Sequence, residues 1–73
     1  MKTNIEIKFY IDKEVIEETG FSENKIKEFI MSYPFSELKI NDFNILTLDS
    51  GYQIKVLPFW NIYNDLVFSV SYL

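Results

Sequence analysis

The chain contains no cysteine, no histidine and no arginine, and only two glycines and two prolines. Without cysteine there are no disulfides, no thiolate nucleophiles and no thiolate metal sites. A small secreted domain is usually stapled by disulfides, so the cysteine-free composition points to the reducing cytoplasm. Without histidine the usual general base and the commonest metal ligand are missing. Six serines therefore have no base to activate them, and no lysine stands in a recognisable nucleophile motif. Gly20 and Gly51 stand too far apart to form a glycine-rich phosphate loop. No catalytic residues, metal ligands or cofactor are expected, and a non-enzymatic role follows.

Missing arginine also removes the side chain best suited to bidentate recognition of phosphate or guanine. Seven lysines face eleven carboxylates, a net charge of −4, which repels nucleic acid unless the charges segregate. No run approaches the roughly 18 apolar residues of a membrane span, and the N-terminus lacks the apolar core of a signal peptide. The 73 residues suffice for one domain, spanning 1–73. A chain of this size buries only about 60% of its unfolded surface, so stability is modest and a partner covering apolar area matters.

What is present is patterned. Residues 4–11 alternate, with Ile5, Ile7, Phe9 and Ile11 on one side and Glu6, Lys8 and Tyr10 on the other, as in a half-buried strand. Asp12 is placed to cap a helix over 13–19 that Gly20 stops. Ser22 caps a second helix whose Ile26, Phe29, Ile30 and Tyr33 form an apolar stripe, and Pro34 ends it. Residues 35–42 read either as a helical turn capped by Ser36 or as a short edge strand.

From Phe43 the pattern is β. Phe43–Leu48 and Tyr52–Phe59 are joined by Asp49-Ser50-Gly51, which suits a three-residue hairpin with Gly51 in the left-handed region. That turn pairs Leu48 with Tyr52, Leu46 with Ile54 and Asn44 with Val56. Pro58 suits a strand end or edge, and a last strand covers Leu66–Leu73. The order β-α-α-β-β-β predicts an α+β fold, an antiparallel sheet of about four strands with a helix pair packed on one face.

Charge is unevenly spread. Residues 43–73 contain only Asp49, Lys55 and Asp65 as charged groups, together with Trp60. The sheet face opposite the helices would carry Phe43, Ile45, Leu57, Val67 and Leu73, more apolar than a face meant only for water. Either the chain covers that face itself or another molecule does. Phe59, Trp60, Ile62 and Tyr63 cluster around one connection, and Trp and Tyr dominate many interfaces. That corner either meets a partner or folds back to plug the core. Phe59, Trp60, Ile62, Tyr63, Phe43, Ile45 and Leu57 are thus the candidate protein contacts.

Residues 12–31 contain a glycine at a turn (Gly20), an apolar residue after it (Phe21), then Ser22, with Ile26 and Phe29 at helical spacing behind. This segment resembles a helix-turn-helix, and the resemblance covers about 20 residues. Ile16 stands where such motifs place a small residue, and Thr19 where they place an apolar one. The resemblance implies a winged-helix-like DNA-binding regulator with the Gly51 hairpin as wing and Asn24, Lys25 and Lys27 toward DNA. Against it, the exposed charges of that helix, Glu23, Lys25, Lys27 and Glu28, sum to zero.

The expectation carried forward is a cytoplasmic protein-binding module acting through residues 43–73, with self-association into a homodimer or a hetero-complex. Heavy use of Ile, Lys, Asn, Phe and Tyr follows from AT-rich coding. Combined with small size and acidity, it suits an inhibitor or adaptor from a phage or mobile element.

Overall fold

A computed structural model describes residues 6–73; positions 4 and 5, assigned by alternation to the first strand, lie outside them. The elements run β1 (Ile7–Ile11), α1 (Lys13–Thr19), α2 (Glu23–Ser32), a 3-10 turn (Phe35–Glu37), β2 (Asn44–Thr47), β3 (Gln53–Trp60) and β4 (Leu66–Tyr72). The fold is α+β: two helices and a four-stranded sheet in the order β1-β4-β3-β2.

The helix boundaries follow their capping chemistry. Asp12 accepts a hydrogen bond from the Glu14 N–H at 3.2 Å, and Ser22 Oγ from the Lys25 N–H at 3.2 Å. Gly20, at φ 74°, closes α1 by donating its N–H to the Ile16 carbonyl. Tyr33, held extended by Pro34, ends α2. Residues 35–37 form a 3-10 turn without a side-chain cap, so Ser36 does not cap it, and the turn delivers Leu38 into the core.

The sheet is mixed, which corrects the expectation of a purely antiparallel one: β1 runs parallel to β4. The reason lies in the connections. The helical crossover carries the chain from β1 to the far edge, where β2 enters in the same direction as β1. Two hairpins then reverse it twice, so β4 returns beside β1 pointing the same way. The β2–β3 hairpin has the expected register, with Asn44 opposite Val56 and Leu46 opposite Ile54. Leu48 donates to the Tyr52 carbonyl at 2.8 Å, Gly51 donates to that of Leu48 at 2.8 Å, and Gly51 takes φ 94°.

Pro58 lies inside the central strand β3 rather than at an end or edge. It sits beyond the last β2 pair, where its carbonyl accepts from the Asn41 N–H at 2.7 Å. Its missing N–H therefore removes no ladder bond to β2.

The core occupies one face of the sheet. Val15 of α1 and Ile26 and Ile30 of α2 pack on Leu46, Ile54, Val56, Phe68 and Val70. Burial of these side chains against each other is the main source of stability. Phe9 stacks on Phe68, centroids 5.3 Å apart, and anchors β1. The other face has no helix over it among the described residues.

Candidate protein-contact site

The β3–β4 connection is built around Asn61. Its side-chain Oδ1 accepts from the N–H of Tyr63 at 2.8 Å and of Asp65 at 2.9 Å. Its Nδ2 donates to Asp65 Oδ2 at 3.3 Å. Asn64 closes the turn in the left-handed region at φ 64°, which asparagine tolerates better than most residues. Its N–H donates to the Asn61 carbonyl at 3.1 Å.

An ion pair fixes the turn to β1. Lys8 Nζ stands 3.1 Å from Asp65 Oδ2, with Glu6 Oε2 at 4.0 Å. The hydrogen bond and charge of Asp65 raise the Lys8 pKa above its ordinary value. The Lys8 hydrogen bond, then that from Asn61, lowers the Asp65 pKa below the usual carboxylate range.

These polar contacts are made within the turn and to β1, and the two residues at the tip are left exposed. Ile62 is 88% exposed and Tyr63 75% exposed. The corner does not fold back over the core. Beside the tip, the end row of the sheet, Ile7–Leu66–Trp60, forms the floor of an open groove together with Phe68. Ile30 and Met31 of α2, Tyr33 and Phe35 form the opposite wall. The groove has a volume of about 410 Å³, and its lining side chains are apolar or aromatic throughout. Trp60 remains 46% exposed at its mouth.

The residues expected to make contacts are thus divided between two surfaces. Trp60 has the parity of Ile54 and Val56, so it stands on the helix side, in the groove. Ile62 and Tyr63 adjoin it at the tip. Phe59 falls on the opposite face with Leu57, Phe43 and Ile45. On that face Phe43 is 57% and Ile45 47% exposed, whereas Leu57 and Phe59 are half-buried. Leu73 stays exposed, while Val67, flanked in register by Lys8 and Phe59, is 1% exposed.

Met31, Tyr33, Phe35 and Ile7 were not expected at a contact site. Their signal was the Tyr33-Pro34-Phe35 step, which ends α2 and sets two aromatic rings at its C-terminus. Where such a helix end meets the sheet is a tertiary fact that periodicity does not contain.

The alternative DNA-contact residues lie on α2. Asn24 and Lys25 are exposed in its first turns. Lys27 is half-buried, its Nζ 5.7 Å from the centroid of the Phe9 ring, and so is engaged within the fold. Thr19 is buried and donates its hydroxyl to the Val15 carbonyl at 2.6 Å, while its Oγ1 accepts from the Phe21 N–H at 3.2 Å. The helix turn is thereby held by a local polar contact rather than an apolar one.

Among the described residues no cluster of three or more acidic groups is placed to hold a metal ion. No described helix is long and apolar enough to cross a membrane. Compared with known proteins, the chain matches no family model, no curated protein and no solved structure.

Proposed function

We propose that this chain is a non-enzymatic protein-binding module whose principal contact is the β3–β4 end of the molecule. One observation carries the reading: Ile62 and Tyr63 are held outward by a hydrogen-bonded turn, directly beside an open apolar groove with Trp60 at its mouth. A turn with no external role gains nothing by displaying an isoleucine and a tyrosine to water. Exposed apolar area of this kind marks contact sites, and aromatic anchors beside a pocket commonly dominate their energetics.

Preorganisation supports the same reading. The turn is ordered before a partner arrives, so little conformational entropy is lost on docking. The groove lacks the convergent polar groups that orient most small ligands, and it suits an apolar side chain or a helix face instead. Small size, acidity and AT-rich composition fit an inhibitor or adaptor from a phage or mobile element, working in the cytoplasm.

The test is cross-linking and affinity capture from the native host with the wild-type chain and with Trp60→Ala and Ile62→Asp. The reading requires a protein that the wild type retains and both variants lose, with unchanged circular dichroism. If the variants capture the same proteins as the wild type, the β3–β4 end is not the contact.

A further inference from the structure

The outer edge of β1 and one flank of α2 make a lane that leads into the groove. β1 ends the sheet, and among the described residues no strand pairs with its far side. The parallel ladder to β4 fixes which backbone groups that side presents. Leu66 donates its N–H to the Glu6 carbonyl at 3.0 Å, and Asp12 donates to the Val70 carbonyl at 2.9 Å. Even-numbered residues therefore bond inward, and the N–H and C=O groups of Ile7, Phe9 and Ile11 point away from the sheet. α1 packs back on β4 rather than across this edge. Lys8, the lysine of β1, stands on the opposite face and is tied to Asp65 at 3.1 Å, so it does not guard the edge against pairing.

α2 lies along β1 in the opposite direction. Glu23, Lys27 and Met31 follow one another at i, i+4 spacing and so share one flank of the helix. Glu23 borders a cleft with Phe9, Ile11 and Asp12. Lys27 Nζ stands 5.7 Å from the centroid of the Phe9 ring. Met31 meets Ile7 across the groove. The flank thus runs beside the strand from Ile11 back to Ile7.

We infer that the partner enters as an extended segment pairing antiparallel with β1, with an apolar side chain opposite Ile7, a carboxylate opposite Phe9 and a cation opposite Ile11. The inference rests on the groove being a protein contact and names what occupies it. Backbone chemistry selects the extended form. A docked helix satisfies its own N–H and C=O groups and leaves this edge unpaired, whereas a strand pairs with it and turns every second side chain toward α2. Antiparallel pairing is the stronger of the two directions per residue. Charge selects the side chains. Around Ile7 the groove is lined by apolar and aromatic residues alone. At Phe9 the Lys27 ammonium has no described carboxylate paired with it. At Ile11 stand the carboxylates of Asp12 and Glu23. The lane reads apolar, positive, negative, and its complement is apolar, acidic, basic at every second residue.

The experiment is fluorescence anisotropy with a labelled threonine-based heptapeptide, blocked at both ends, carrying lysine second, glutamate fourth and leucine sixth. Exchanging its glutamate for lysine should weaken binding to the wild-type chain about fivefold. Lys27→Glu should invert that preference, a reversal that a misfolded variant cannot give. A methyl group on the glutamate amide, which faces β1, should abolish binding, while one on the neighbouring threonine amide should leave it unchanged. Absence of binding up to millimolar peptide overturns the inference, as does indifference to the charge exchange or to the position of the methyl group. Capture from the native host separates this inference from the reading it rests on. A partner lost by Ile62→Asp but kept by Lys27→Glu removes the strand alone, whereas one kept by both removes the contact as well.

Discussion

Asn61 and Asp65 close the β3–β4 hairpin on each other twice over. Asn61 Oδ1 accepts the Asp65 N–H at 2.9 Å, and Asn61 Nδ2 returns a bond to Asp65 Oδ2 at 3.3 Å. Their backbones also meet, the Asn61 N–H donating to the Asp65 carbonyl at 3.0 Å. This closure is what allows two large apolar residues to stand at the tip without collapsing onto the groove.

Asn61→Ala removes the acceptor shared by Tyr63 and Asp65. A loss of about 1–2 kcal/mol in urea denaturation is expected, since the freed N–H groups are near water. The more telling readout is amide exchange. Tyr63 and Asp65 should lose protection in the variant while the Leu46–Ile54 region keeps it.

The Lys8–Asp65 pair gives a pH dependence with a definite sign. Asp65 titrates lower in the folded chain than when unfolded. Its contribution is therefore full above the ordinary carboxylate range and lost as pH falls through the depressed folded value. Lys8 titrates higher when folded, so its contribution is full below the ordinary lysine range and lost as pH rises through the raised value. Asp65→Asn should flatten the acid limb of the stability profile while leaving the shape near neutral pH unchanged. A series of urea midpoints from acid to neutral pH reads this directly, and identical acid limbs for wild type and variant would refute it.

Local chemistry in the sequence was enough to place both helices, their caps at Asp12 and Ser22, the stop at Gly20, and the Asp49-Ser50-Gly51 turn with its register. Each depends on neighbours a few residues away. The direction of β1 against β4 was not legible, because it depends on how the crossover lands on the sheet. The site was legible in part. Composition singled out Phe59, Trp60, Ile62 and Tyr63 as one cluster, with the strand expected to end at Phe59; β3 in fact runs on through Trp60, and adjacent strand residues face opposite ways, so the two part. The groove wall of Met31 and Phe35 exists only where α2 ends over the Ile7–Leu66–Trp60 row, a contact between distant segments.

Asn44 is a further residue whose role only tertiary structure reveals. It alternates in phase with Leu46 and Leu48 and is buried as they are. Its Oδ1 accepts the Lys39 N–H at 2.8 Å, and its Nδ2 donates to the carbonyls of Lys39 at 3.0 Å, Asp42 at 3.1 Å and Val56 at 3.1 Å. One side chain thus ties the segment after the 3-10 turn to the start of β2. Asn44→Leu satisfies the apolar pattern and still leaves these backbone groups without partners. A loss of about 3 kcal/mol is expected by urea denaturation, from the cost of orphaned buried polar groups. A neutral or stabilising result would show that water or the backbone replaces the amide.

Ile26 and Trp60 separate the folding role of apolar residues from the docking role. Ile26 is fully buried between α2 and the sheet, and Ile26→Ala leaves a cavity costing about 2–5 kcal/mol. Trp60 is larger, but nearly half of it faces water at the groove mouth. Its truncation removes area that was never fully withdrawn from solvent, so Trp60→Ala should cost the isolated chain less than Ile26→Ala, about 1–2 kcal/mol. Matched urea denaturations give the comparison. If the tryptophan variant proves the less stable of the two, Trp60 acts as a core residue, and its ring could not be the anchor a partner uses.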